Sequence, residues 1–256
     1  MPEQSSPPSL AVIILAAGKG TRMKNPDIAK VMFPINGKPM VEYVVELVAA
    51  LNPARTILVV GWQKESVVEY ISGKYPSAEF VEQREQLGTG HAVLQVAEAL
   101  QDFSGDVLLL SGDVPLLAEK TARALVGYHR MNEGTATILT AEVGDATGYG
   151  RIVRNDDGGI EKIVEQKDAS KKELAIHEIN SGIYVFNRKE LFEALDQLSP
   201  DNAQGEYYLT DVFGYFWKKK LKIVAVKVID PVEVTGINDF AQLESARARI
   251  ADRTPG

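Results

Sequence analysis

The segment LAAGKGTRM (15–23) sets Gly18 and Gly20 among the cations Lys19 and Arg22, continuing the uncharged apolar run LAVIIL. A strand that delivers its backbone into such a turn aims amide donors and side-chain cations at one point, which is what a polyphosphate needs. The segment therefore reads as a nucleotide-triphosphate loop. It is neither of two commoner phosphate motifs. A Walker loop, GxxxxGK[ST], fails because Lys19 is followed by Gly20 and Ile13 stands where the upstream glycine belongs. A dinucleotide fingerprint fails because Met23 occupies the third glycine position. Taken alone, the same residues also describe a plain βα turn with a solvated Lys and Arg.

Asp113 closes the run VLLLSGD, so a buried strand presents a carboxylate at its C-terminal end. Magnesium favours oxygen ligands and keeps water, so one Asp, one neutral oxygen donor and phosphates make a workable shell. The alternative is a capping Asp ahead of a helix starting near Leu117. QLGTGHAV (86–93) brackets Thr89 with Gly88 and Gly90 before an amphipathic helix, suited to bringing backbone close to a flat ligand or to a simple N-cap. His91 has no carboxylate or second histidine nearby in sequence, so a helix-face role is expected of it rather than metal binding or base catalysis.

TGYGRI around Gly150, IVEQKDA around Glu165 and EINSGIYVF around Asn180 each combine glycine with hydrogen-bonding side chains. A sugar is read by such groups. Each segment is also an ordinary turn or strand end. NAQGEYYLTDV (202–212) is either a lid or a capped helix start, and Lys218, Lys219 and Lys220 suit the solvated C-terminus of that helix.

These residues need elements to hold them. Apolar runs at 10–15, 56–60 and 107–110 alternate with helical patterns at 39–51, 64–72 and 89–100. The alternation predicts an α/β fold built on a Rossmann-like, doubly wound, mostly parallel sheet. Both LAAGKGTRM and SGDVPL then fall at strand C-terminal ends, the ligand edge of open sheets. From about 135 onward, strands at 136–143, 150–153, 159–164 and 179–186 joined by short turns predict an antiparallel substrate-side subregion. Helices at 188–197, 208–219 and 239–251 and a strand at 222–228 complete it. The expected organisation is a flexible tail over 1–9 and a single domain over 10–256, with a nucleotide part at 10–134 and a sugar part at 135–256.

With 256 residues and 45% hydrophobic content, the chain can bury a substantial core. A net charge of −7 argues against a general nucleic-acid surface, so small polyphosphates are the better ligands. The absence of cysteine excludes disulfides, thiolate zinc sites and cysteine nucleophiles, and fits a cytoplasmic protein. The apolar run at 10–17 falls far short of the roughly 20 residues that span a bilayer, and no basic residue precedes it as a signal peptide would want.

LAAGKGTRM, Lys30, QLGTGHAV, SGDVPL, TGYGRI, IVEQKDA, EINSGIYVF, NAQGEYYLTD and EVTGIND resemble, as a set, the sugar-nucleotide nucleotidyltransferases. The narrower likeness is to the uridyltransferase domain of the bifunctional N-acetylglucosamine-1-phosphate uridyltransferases (GlmU type), over about 12–240. The resemblance implies the nucleotide-diphospho-sugar transferase fold and in-line attack of a sugar 1-phosphate on the α-phosphate of UTP. Asp113 and Asn238 would ligate Mg2+, and Arg22 and Lys30 would neutralise the triphosphate as catalytic cations. Leu15, Ala16, Ala17, Gly18, Gln83, Gly88 and Thr89 would hold the nucleotide, and Gly112, Gly150, Glu165 and Asn180 the sugar. Ser111 stands where the family more often has tyrosine, and Ala29 where it has proline. No hexapeptide repeats of a left-handed β-helix are present, so acetyl transfer and the trimer built by that helix are not expected.

Overall fold

A computed structural model describes residues 8–23, 25 and 27–253; residues 1–7 of the expected tail and the last three residues lie outside them. The first half runs β1 (Ser9–Ala16), β2 (Pro34–Ile35), β3 (Lys38–Pro39), α1 (Met40–Leu51), β4 (Arg55–Val60), α2 (Lys64–Lys74), β5 (Glu79–Glu82), α3 (Thr89–Leu94), β6 (Gly105–Ser111) and α4 (Glu119–Met131). The second half runs β7 (Ala136–Glu142), β8 (Arg151–Arg154), β9 (Ile160–Val164), α5 (Lys171–Leu174), β10 (Glu178–Asn187), α6 (Arg188–Leu195), α7 (Asp211–Lys218), β11 (Ile223–Lys227) and α8 (Phe240–Arg253).

The main sheet has the order β11-β7-β10-β6-β1-β4-β5, with the β8–β9 pair attached to β10. Strands β6, β1, β4 and β5 are parallel. Leu15 lies opposite Ser111, Ala16 opposite Val60 and Val60 opposite Glu82. This register ends four strands at one edge, so their following loops emerge side by side. Strand β10 runs antiparallel to both β6 and β7, with Tyr184 opposite Leu109, so its first residues start at that same edge. The edge strand β11 departs from the expected antiparallel half, since it pairs in parallel with β7.

Burial on both faces explains the uncharged strands. Val12 and Ile14 of β1, Leu58 of β4 and Leu108 and Leu110 of β6 face one core, under α1, α2 and α4. Ala11, Ile13, Ile57, Val59, Val107 and Leu109 alternate into the other, with residues of α3, α6 and α7. There Tyr184, Phe186 and Phe213 pack with ring centroids 5.4 to 5.8 Å apart. A third, smaller cluster joins Met23, Phe33, Ile35, Met40, Leu116, Ile237, Leu243 and Ala246.

Two helices differ from the sequence expectation. Helix α3 ends at Leu94; beyond it the chain continues in tighter turns, with Val96 N–H on the Val93 carbonyl and Ala97 N–H on that of Leu94, both at 3.0 Å. Val96 and Leu100 stay fully buried, so a different backbone satisfies the same apolar spacing. Helix α7 starts at Asp211 because residues 207–209 are drawn into backbone bonds with the Gly88–Gly90 loop. Asp113 is not a helix cap. The N-cap of α4 is Ala118, and Glu233 accepts there from Ala118 N (3.1 Å) and Thr121 Oγ1 (2.6 Å).

Candidate active site

The loop after β1 is held at three points. The carbonyl of Ala17 accepts from Gln86 Nε2 (2.7 Å) and from Trp62 N (3.3 Å), tying it to the loops after β5 and β4. The turn at Gly20 has φ +61°, and a Cβ there would lie 2.5 Å from Lys30 Cβ, so the loop closes directly on the lysine stem. Met23, fully buried in the third cluster, anchors the turn that carries the exposed Arg22. Lys19 stands 4.9 Å over the Trp62 ring.

Lys30, Arg22, Asp113 and Asn238 converge although the sequence separates them widely. The Lys30 ammonium donates to Asp113 Oδ2 and, at 2.8 Å, to Asn238 Oδ1, while Arg22 Nη2 donates to the same Asn238 oxygen at 2.8 Å. Both members of the Lys30–Asp113 pair are mostly buried, with 13% and 14% side-chain exposure, where an ion pair is less screened than at the surface. The backbone joins the two loops as well, through Ile237 N on the Asp113 carbonyl at 2.9 Å. Asn238 is fixed just ahead of α8: Gln242 Oε1 accepts from its N–H (2.7 Å), and Asp239 accepts from Gln242 N (2.9 Å).

A cavity of about 280 Å³ opens on one side of this centre. Leu15, Ala16, Ala17, Gly18, Lys30, Gln83, Gly88, Thr89 and Asp113 line it, which gathers the whole expected nucleotide set. Gln86 and Glu206 line it too, and the sequence reading assigns them no role; Gln86 lies within the QLGTGHAV motif itself, and only its bond to Ala17 reveals what it does. The glycines of that motif answer to a neighbour within the chain. A Cβ on Gly88 would meet the Tyr207 carbonyl at 2.7 Å, and Gly90 N donates to that carbonyl at 2.8 Å. Tyr207 N in turn donates to the Leu87 carbonyl (2.8 Å), and Leu209 N to Thr89 Oγ1 (3.1 Å). The 202–212 segment is thus pinned along the cavity rim.

A second cavity, about 220 Å³, shares Leu15, Thr89, Ser111 and Asp113 with the first and reaches Tyr149, Glu165, Asn180, Tyr184, Thr210 and Asn238. Asn180 Oδ1 accepts from Tyr184 Oη (2.8 Å) and Gly182 N (3.1 Å), which fixes the amide and leaves Nδ2 to donate into the cavity. Burial pushes the Glu165 carboxyl above its ordinary range; the Thr210 hydroxyl at 3.0 Å opposes this, and Asp211, Asp168 and Glu206 add to it. Gly150 and Gly112 line neither cavity. Gly150 supports the floor, its carbonyl accepting from Asn180 N (2.9 Å), and a Cβ there would meet Asn180 Cβ at 3.4 Å. Gly112 packs against Val31 and donates to the Leu15 carbonyl (2.9 Å).

The donor set at the centre suits magnesium. Asp113 and Asn238 oxygens already converge on one cation, the Lys30 ammonium, which marks a position that two oxygens can share. No group of three or more His, Cys, Asp or Glu side chains is placed to hold a metal among the described residues. One carboxylate and one amide oxygen instead leave the remaining positions to water and phosphate, as Mg2+ prefers.

An open, mostly parallel sheet with glycine loops, two cations and one carboxylate at its C-terminal edge defines an α/β protein built for phosphate esters. The chain belongs to the nucleotidyl transferase family, whose family model, described as Nucleotidyl transferase, matches residues 11–231. It is 47% identical over 241 residues to the bifunctional protein GlmU of Brevibacillus brevis, covering 94% of this chain and 51% of that protein. With the bifunctional protein GlmU of Streptococcus mutans it shares 48% over 234 residues, 91% of this chain and 50% of the other. The chain thus spans about half the length of the curated relatives it matches. In fold it is similar to a UDP-glucose pyrophosphorylase crystallised with UDP-glucose, with a TM-score of 0.75 at 19% identity over 96% of this chain and all of that one.

Proposed function

We propose that the chain transfers the uridylyl group of UTP to N-acetylglucosamine 1-phosphate, giving UDP-N-acetylglucosamine and pyrophosphate. The observation that carries this reading is the pair of cavities meeting at Asp113, one lined by the expected nucleotide residues and the other by Glu165 and Asn180. Two substrates bound there place their reacting phosphates beside Lys30 and Arg22. The family and the identity to the bifunctional GlmU proteins support the choice of substrates.

An oxygen of the sugar phosphate attacks the α-phosphorus. The bond from that phosphorus to the bridging oxygen of the β-phosphate breaks, and pyrophosphate leaves with the electron pair. The nucleophile is already an anion, so no general base and no covalent enzyme intermediate are required. Lys30 and Arg22 hold and neutralise the phosphoryl oxygens as charge moves toward the leaving group. Mg2+, when bound by Asp113 and Asn238, neutralises further charge on those oxygens. In the second cavity, Asn180 Nδ2 donates and Glu165 accepts, a pattern that orients hydroxyl and acetamido groups. The cysteine-free composition accords with a cytoplasmic site of action.

Pyrophosphate release is the direct test, with UTP or dTTP against N-acetylglucosamine 1-phosphate and other hexose 1-phosphates. The highest kcat/KM is expected for UTP with N-acetylglucosamine 1-phosphate, and loss of turnover for Asp113→Ala. Tight binding of UDP-sugar without turnover in either direction would overturn the reading in favour of a sensor.

A further inference from the structure

Gln83 is 5% exposed, lines the first cavity just past β5, and is held by two bonds from one atom. Its Nε2 lies 3.0 Å from the Gly88 carbonyl and 3.2 Å from His91 Nδ1. A carbonyl oxygen only accepts, so the atom facing Gly88 must be the amide nitrogen, and the same nitrogen then faces the ring. His91 Nδ1 must therefore accept, which places the ring proton on Nε2. Gln95 Nε2 lies 3.2 Å from that position and 3.1 Å from the His91 carbonyl; half a turn of its terminal amide brings Oε1 there as the acceptor and gives up the carbonyl bond, which water can replace at the half-buried Gln95 but not at the buried Gln83. With both hydrogens of Gln83 Nε2 committed, only Oε1 remains to meet a ligand.

We infer that His91 is a positioning residue: by accepting from Gln83 Nε2 it fixes the amide so that an acceptor alone faces the base, selecting imide bases over cytosine. Uracil and thymine carry an N–H at N3, which Gln83 Oε1 accepts. Cytosine carries a lone pair there, and two acceptors repel. A Gln83 free to turn would present Nε2 to cytosine at the cost of its bond to Gly88; the His91 bond adds to the resistance. Nothing local in the sequence pairs these residues, because the contact forms only when the loop after β5 folds back onto α3. The inference rests on the uridylyl reading in one respect, that the base occupies the cavity beside Gln83.

Three proteins test it: wild type, His91→Phe, which keeps a ring beside Tyr207 but has no acceptor, and His91→Asn, whose side-chain oxygen approximates the Nδ1 position. His91→Phe should raise the KM for UTP about five- to tenfold with kcat within twofold, and lower the UTP to CTP preference by a similar factor. His91→Asn should restore both. Unchanged UTP KM and CTP discrimination in folded His91→Phe overturns the inference. Nitrogen NMR of the wild-type His91 ring decides independently of turnover and of any variant that fails to fold: the Nε2–H tautomer is expected, and an Nδ1–H tautomer overturns it. Failure of the wild type to use UTP with any sugar phosphate would instead refute the proposed function, and leave the tautomer measurement standing.

Discussion

Replacing Gly20 by alanine probes the link between the glycine loop and Lys30, the cation proposed to act on the phosphates. The added Cβ would lie 2.5 Å from Lys30 Cβ and 2.8 Å from its Cγ. Carbon atoms rest at about 3.5–4.0 Å, so the lysine stem must retreat by roughly 1 Å. That retreat pulls Nζ away from Asp113 and Asn238, and a misplacement of about 1 Å can cost about 100-fold in rate. The φ of +61° adds a separate stability penalty of about 1–2 kcal/mol for a residue with a Cβ. Gly37, with φ +83° and no atom within 4 Å of where a Cβ would stand, isolates that second cost. Gly20→Ala should lose about 100-fold in kcat for pyrophosphate release and a few degrees in Tm. Gly37→Ala should show a similar Tm loss with turnover within twofold of wild type. A kcat for Gly20→Ala within threefold of wild type would refute the argument that Gly20 exists to let Lys30 close on Asp113 and Asn238.

Lys30→Met removes the ammonium from between Asp113 and Asn238, so Mn2+ should bind the nucleotide-free protein more tightly by electron paramagnetic resonance, whereas Asp113→Ala should abolish that binding. Glu165→Gln should weaken sugar 1-phosphate binding, read as a raised KM, yet stabilise the fold at neutral pH. Because the Glu165 carboxyl is raised, its burial costs nothing below the unfolded value near 4.5, where both forms are protonated, and the cost grows as pH rises through the folded value. The Tm advantage of Glu165→Gln should therefore vanish in acid; an advantage equal at all pH values would contradict it. Glu233→Ala should cost about 1–2 kcal/mol in denaturant unfolding, because the first turn of α4 loses the acceptor for Ala118 N and Thr121 Oγ1.

What the sequence disclosed depended on whether the signal was local. Strands β1, β4 and β6 were legible because burial on both faces demands uncharged runs, and Gly20 and Asp113 were legible because they follow such runs. The edge strand β5, EFVE, is only half-buried and carries no apolar run, so nothing announced it. Helix α4 has buried positions at Ala122, Leu125, Val126 and His129, but the acceptor for its first turn is the Glu233 side chain, far along the chain, which no local motif could show. The convergence of Asp113 with Asn238 came only through family resemblance. Its physical cause, the packing of Ile237 with Met23 and Leu116, lies in a tertiary cluster. The same holds for Gly88 and Gly90, whose tight spacing reads as a ligand loop but also answers to the backbone of Tyr207 and Leu209.

The third cluster sets a schedule for the growing chain. Met23, Phe33, Ile35 and Met40 emerge from the ribosome early, but the partners that seat them, Ile237, Leu243 and Ala246, are made some two hundred residues later. The parallel strands that frame the first cavity can be in place long before. Synthesis at about 5–20 residues per second leaves an interval on the order of ten seconds in which the glycine loop exists without Asn238 or its anchor. A nascent chain therefore carries the glycine loop and its neighbouring strands while Arg22 and Lys30 still lack the amide oxygen they share in the finished fold.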